Sequence, residues 1–220
     1  MEEDALHGHI VYSEEVLEFV RLCNEYCMLL EGLTDTAAFE DEGEDPFRQA
    51  FITPVLRILS GIYSTLHTLT LPEPVYDEGN EKYVSEQDWS LVFQNVSRLL
   101  GPYNAYLRKV DEDEYDRSDL TPHTISEDLS DIYQELRDFT ELYSRGIEDI
   151  MNDALWEVME NFEEHWGEKL INALSALHRV NIKYVNSGTG GHPGSEQDEG
   201  GAYYNPDMFR KFQDQAGEED

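Results

Sequence analysis

Between Thr124 and Tyr184 the apolar residues recur at steps of three and four, and an α-helix is the structure that turns such spacing into one continuous face. Ile125, Leu129, Ile132, Leu136, Phe139 and Tyr143 form a first stripe. After Gly146, Met151, Leu155, Val158, Phe162, Trp166, Leu170, Leu174 and Leu177 form a second. The spacing predicts two long amphipathic helices broken at Gly146. Thr124-Ile125-Ser126-Glu127 reads as the capping box that opens the pair, and Arg179 and Lys183 as the positive charges closing it at the negative end of the helix dipole. Leu129, Ile132, Leu136, Phe139, Leu155, Val158, Phe162, Leu170 and Leu174 are the expected core.

The rest of the chain reads as shorter elements packed on this pair. Ser13 is an N-cap for a helix running to about Leu30 and stopped by Gly32. Asp45-Pro46 restarts a helix whose apolar positions run from Phe47 to Leu66, with Pro54 expected to kink it or split it at Thr53. Ser85-Glu86-Gln87-Asp88 is a capping-box variant ahead of Trp89, Val92, Phe93, Val96 and Leu100. Tyr103 to Val110 reads as a short helix or turn with Tyr106, Leu107 and Val110 inward. No run of alternating β-branched residues occurs, so no sheet is expected. The fold class that follows is all-α: a single bundle of about six to seven helices with a flexible C-terminal tail. Residues 10–185 form the acidic bundle, 186–202 a flexible Gly-rich linker, and 203–220 a short amphipathic segment carrying Tyr203, Tyr204, Met208, Phe209 and Phe212.

Forty-eight acids against fifteen bases leave a net charge of −33. A field of that sign repels nucleic acid and anionic membrane, so direct binding to either is excluded and a protein partner should be basic. Cys23 and Cys27 lie on the apolar stripe of the first helix and are expected to be buried thiols in a reducing compartment. The start Met-Glu-Glu-Asp is the opposite of a basic signal-peptide start, and Ile58 to Pro72 is too short and too rich in Ser and Thr to span a bilayer. The expected location is the cytoplasm.

One stripe invites a functional reading. Asp153, Glu157, Glu160, Glu164 and Glu168 step by four, three, four and four, two positions from the apolar stripe, about 200° around the helix at ~100° per residue. They are expected to face solvent and to span about 22 Å at ~1.5 Å rise per residue. The bland reading is a solvated face that keeps the protein soluble. The sharper one is a docking surface for a basic partner, and the spacing fits a groove that otherwise accepts phosphates.

Glu135-x-x-Asp138 and Glu157-x-x-Glu160 suggest a second chemistry, since carboxylates on facing helices hold Mg²⁺ for phosphate chemistry when they converge. These pairs are expected to point outward, which disfavours it. Asp111, Asp113 and Asp116 fail as a calcium loop, because position six is Asp116 rather than Gly and position twelve is Pro122 rather than Glu. That stretch and Glu40 to Asp45 read as exposed acidic loops. Among the scattered histidines, His165 is expected to be an interface or core side chain beside a carboxylate. There is no phosphate loop and no nucleophile elbow.

Val11-Tyr12-Ser13, Asn24-Glu25-Tyr26-Cys27, Leu99-Leu100-Gly101-Pro102-Tyr103, Ile125-Ser126-Glu127-Asp128-Leu129, Met151-Asn152-Asp153-Ala154-Leu155-Trp156 and Asn161-Phe162-Glu163-Glu164-His165-Trp166-Gly167 resemble segments of an uncharacterised bacterial family, typical of Bacteroidetes and labelled only as a domain of unknown function. The resemblance covers roughly residues 10–183 and is most specific over the last three segments. It implies an all-helical cytoplasmic protein, and it supplies no activity, cofactor, metal site or catalytic residue. The functional expectation is a non-enzymatic interaction module whose acidic face binds a basic protein, with nucleic-acid mimicry or regulation of a nucleic-acid-processing protein as one form. The alternative is a Mg-dependent helical-bundle enzyme acting on a nucleotide or another phosphorylated small molecule.

Overall fold

A computed structural model describes residues 10–33, 46–76, 79–109 and 120–188. Six α-helices and one hairpin follow in order: α1 (Glu14–Glu31), α2 (Pro46–Leu66), α3 (Glu86–Leu100), β1 (Ala105–Lys109), β2 (Leu120–Thr124), α4 (Ile125–Tyr143), α5 (Glu148–Asn161) and α6 (Gly167–Gly188). Short 3-10 turns at Ile10–Tyr12 and Gly101–Tyr103 lead into α1 and out of α3, and a π-helical turn at Phe162–Trp166 joins α5 to α6.

The helix starts follow the sequence signals. The Ser13 side chain accepts the Val16 N–H, and Thr124 accepts the Glu127 N–H, which is the N-cap half of the capping box expected there. Ser85 and Asp88 complete a reciprocal capping box, satisfying donors that a helix start leaves open. Gly146 has φ 67°, a conformation that favours glycine, and it turns the chain between α4 and α5. Pro54 lies inside α2, which continues unsplit to Leu66.

Helix α4 is the hub, packing against α1, α3, α5 and α6, while α2 closes the bundle between α1 and α6. Leu129, Ile132 and Leu136 are fully buried along it. Phe139 meets Phe19 of α1 at a ring-centroid distance of 5.2 Å, and Tyr26 donates its hydroxyl to the Leu129 carbonyl at 2.9 Å. Cys23 and Cys27 are free, buried thiols whose burial raises their pKa, the latter to about 12. Phe162 and Leu174, expected in the core, are half-buried, and Ala173, Leu177 and Val180 take the inner positions of α6.

The π-turn keeps most of the expected stripe in place, since Trp166, Leu170 and Leu177 are fully buried, and beyond it only Leu174 gives up its inner position, to Ala173. Gly167 donates its N–H to the Phe162 carbonyl, and a Cβ at residue 167 would sit 2.4 Å from that oxygen. Only glycine fits there without moving the backbone. Trp166 is buried and donates its indole N–H to the Val158 carbonyl at 3.0 Å, holding the turn closed.

The bundle is mostly helical as expected, but the absence of a sheet is corrected. β1 and β2 pair antiparallel, with Leu107 opposite Pro122. Tyr103 to Lys109 is therefore a 3-10 turn followed by a strand, not a short helix. Pro122 donates no ladder hydrogen bond, which a two-stranded hairpin tolerates because both strands are edges. Asn104 welds the hairpin to the helices: its carbonyl accepts Ile125 N–H at 2.8 Å and its Oδ1 accepts Ser126 N–H at 2.9 Å.

Helix α6 runs to Gly188, so residues 186–188 are helical rather than linker, and Arg179 and Lys183 lie before its last turn. The remaining linker, the 203–220 segment and both acidic loops lie outside the described residues. No helix among the described residues is long and apolar enough to cross a membrane.

Candidate functional site

Helix α5 starts beside the chain between α2 and α3, described over residues 67–76 and 79–85 and here called the strap. Asp153 is only 4% exposed; its Oδ1 accepts the Val75 N–H at 2.6 Å and its Oδ2 the Tyr76 N–H at 2.9 Å. Asn152 donates its amide to the Glu73 carbonyl at 2.7 Å. One turn on, Glu157 accepts the Asn80 amide at 2.9 Å and pairs with Lys82 at 3.0 Å. From α4, Asp138 takes the Tyr83 and Val84 N–H groups at 2.7 and 2.9 Å. The described residues of the strap at Val75, Tyr76, Tyr83 and Val84 lie outside helix and strand, so their backbone donors need other partners, and carboxylates supply strong acceptors. Burial pushes the Asp138 carboxyl above its ordinary pKa, and the two N–H donors pull it back down.

Two sequence expectations are thereby corrected. Asp153 does not face solvent, and Asp138 does not point outward. Counting degrees from one apolar stripe assumes a helix packed on one side. Instead Met151, Asn152, Asp153, Ala154 and Leu155 are all buried, because the first turns of α5 are enclosed by α4, the Ile10–Tyr12 turn and the strap.

The other members of the acidic row separate. Glu157 is half-buried and bonded to the strap, and Glu160 is half-buried. Glu164 and Glu168 are exposed, with Glu163 exposed beside them on the π-turn. Glu168 forms an ion pair with Arg108 of β1. His165 is exposed, with Nε2 3.7 Å from Glu164 Oε2, so its carboxylate neighbour is present but it is not a core residue.

The four acids considered for Mg²⁺ are largely committed elsewhere. Glu135 accepts the Asn161 amide at 2.8 Å, while Asp138 and Glu157 serve the strap. Among the described residues, no group of three or more His, Cys, Asp or Glu is arranged to hold a metal ion. Sequence reasoning missed Asn80, Lys82 and Asn152 as partners of these acids. No local signal marks Asn152 and Asp153, because the strap backbone that they bond lies 77 to 79 positions away in the chain.

What the geometry leaves available is a short acidic face around the π-turn: Glu160, Glu163 and Glu164, with Glu168 at its edge. Its side chains offer acceptors and negative charge on a rigid helix, suited to binding cations or basic side chains.

The family model described as a domain of unknown function, DUF5063, matches residues 10–183. Among solved structures the chain is similar to protein BF1032 from Bacteroides fragilis, with a TM-score of 0.64 and 31% sequence identity, covering 78% of this chain and 95% of that one. No curated protein matches.

Proposed function

The chain belongs to the DUF5063 family, whose description assigns no activity, and we propose that this member is a non-enzymatic protein-interaction module that docks a basic protein partner on the acidic face of the π-turn. The observation that carries the reading is the exposure of Glu163 and Glu164 next to Glu160 on a turn held rigid by Trp166 and Gly167. A net charge of −33 adds a long-range field that raises association rates with basic partners. Phosphate mimicry along five acids loses its support, since Asp153 and Glu157 are turned to the strap. The docking face is therefore shorter than the row read from sequence, and its partner is recognised by basic side chains rather than by phosphate spacing. The module works in the cytoplasm, away from nucleic acid and membrane.

The Mg-dependent alternative draws no support from the acids that motivated it. The test of the proposal is a salt series. Tagged full-length protein should retain a basic protein from its native host at low ionic strength and release it as salt is raised, because exposed charges are screened beyond about 8 Å at physiological salt. Retention independent of salt contradicts the proposal. Mg-dependent nucleotide hydrolysis lost on Glu160→Gln replaces it with the enzymatic reading.

A further inference from the structure

Helix α3 turns an amide side chain that no other described residue bonds into an open cleft. Asn95 is 6% exposed, on the inner face of α3 between Val92 and Val96, and its side chain makes no hydrogen bond to any described residue. The amide atoms are not sealed from solvent, unlike Ser130 Oγ and Asn172 Nδ2, so they stay available to a ligand that enters the cleft. Asn95 lines a cleft of about 410 Å³ between α1, α3, α4 and the end of the strap, within the size range of small-ligand sites.

The chemistry around the amide is mixed in a specific way. Glu31 of α1, Asp88 of α3 and Glu141 of α4 line the cleft against one base, Arg137. That base is already engaged, with Glu31 at 3.2 Å and Glu141 at 2.8 Å. Tyr133 donates its hydroxyl to Glu31 at 3.0 Å and fixes it in place. The apolar side is supplied by Val92 and by Leu91, which is 54% exposed at the mouth. Anions meet a surplus of carboxylates here. A bare metal ion meets Arg137 and an aliphatic wall. A planar or tetrahedral nitrogen cation on a hydrocarbon stem satisfies the amide oxygen and the acids at one end and the leucine and valine at the other.

From this geometry we infer that the cleft is a binding site for a guanidinium or primary ammonium group carried on an aliphatic stem. Asn95 receives a donor hydrogen at its Oδ1, the carboxylates supply the charge, and Leu91 and Val92 cover the methylenes. The site lies on α1, α3 and α4, whereas the acidic docking face lies on the α5–α6 side of the chain, so it does not depend on the reading proposed above. The same chemistry has two sources: a free small amine, or the lysine or arginine side chain of a protein.

The experiment is an NMR titration of the full chain, following the Asn95 side-chain amide and the Leu91 and Val92 methyl groups. The probes are agmatine, a guanidinium and an amine on a four-carbon stem, and a short acetylated, amidated peptide containing one arginine. n-Butyl phosphate is the anionic control. Saturable shifts at these three residues with agmatine support the site and a free cation as its source. Shifts with the peptide alone support the site and a protein side chain as its source. Asn95→Ala should keep the wild-type spectrum elsewhere and weaken binding about tenfold or more, as expected for losing a hydrogen bond to a charged group. Glu141→Gln, a milder change at the rim, should weaken it less. Three results overturn the inference: no saturable shift with either cation, equal binding of n-butyl phosphate, or wild-type affinity in a folded Asn95→Ala protein.

Discussion

Asp153 Oδ1 accepts the Val75 N–H at 2.6 Å, joining residues 78 positions apart in the chain. With Tyr76 N–H on its other oxygen, one side chain of α5 fixes two successive peptides of the strap. The residue that looked like the first member of a solvent-facing acidic row is a structural clamp.

Asp153→Ala should therefore loosen the strap. It leaves two backbone donors without their acceptor, at a cost of about 1–3 kcal/mol, moderated because Val75 and Tyr76 are about half exposed and water reaches them. Urea melts give the loss, and hydrogen exchange at the Val75 and Tyr76 amides should accelerate. Unchanged exchange there would mean the strap is held by other contacts.

Gly167→Ala should destabilise the joint between α5 and α6. A Cβ at 2.4 Å from the Phe162 carbonyl forces the π-turn to shift, at about 1–3 kcal/mol by analogy with overpacking. Gly79, with nothing within 4 Å of the equivalent position, is the control and should accept alanine with little change. Thermal melts of both variants decide the matter.

Leu136→Ala should cost roughly 2–5 kcal/mol by opening a cavity at the centre of α4. Leu136 is fully buried where α4 meets its neighbours. A loss below about 1 kcal/mol in denaturant melts would contradict the packing described here.

Asp128 sets a pH dependence. It is 5% exposed, bonded to the Tyr106 hydroxyl, and burial raises its pKa from 3.8 to about 6. Because the folded value lies above the unfolded one, the native state binds the extra proton between those values. Stability from this group is therefore present at low pH and lost as pH rises from 3.8 through about 6. Asp128→Asn, which still accepts from Tyr106, removes the titration. The variant should match wild type near pH 4 and exceed it above pH 6, by up to roughly 3 kcal/mol. Paired melts across that range provide the measurement, and a constant difference would contradict it.

The helical part of the fold was legible because its signals are local. Leu129, Ile132 and Leu136 report a helix face by spacing alone, Gly146 marks a turn, and Ser13 and Ser85 mark caps. The hairpin was not, because Ala105–Lys109 and Leu120–Thr124 are too short for alternation to register and one contains proline. Asp138 and Asp153 were misread for a different reason. Their partners are backbone N–H groups of the strap, and peptide donors leave no mark in a sequence. His165 lies exposed on the π-turn beside Glu164, and Phe162, where that turn begins, is half-buried, because the turn itself is at the surface on that side while Trp166 holds the inner position. Asn95 was visible as a polar residue on an apolar stripe, and only the cleft beside it gives that position meaning.

The central claim is that Glu160, Glu163 and Glu164 form a docking face, and charge reversal tests it most directly. Glu157 is kept, since its bonds to Asn80 and Lys82 would confound the result. Glu160→Lys, Glu163→Lys and Glu164→Lys combined should fold with a near wild-type melting temperature and fail to retain the basic protein that wild type retains at low salt. A folded triple variant that retains the same partner undiminished would contradict the claim and leave the acidic face as a means of solubility.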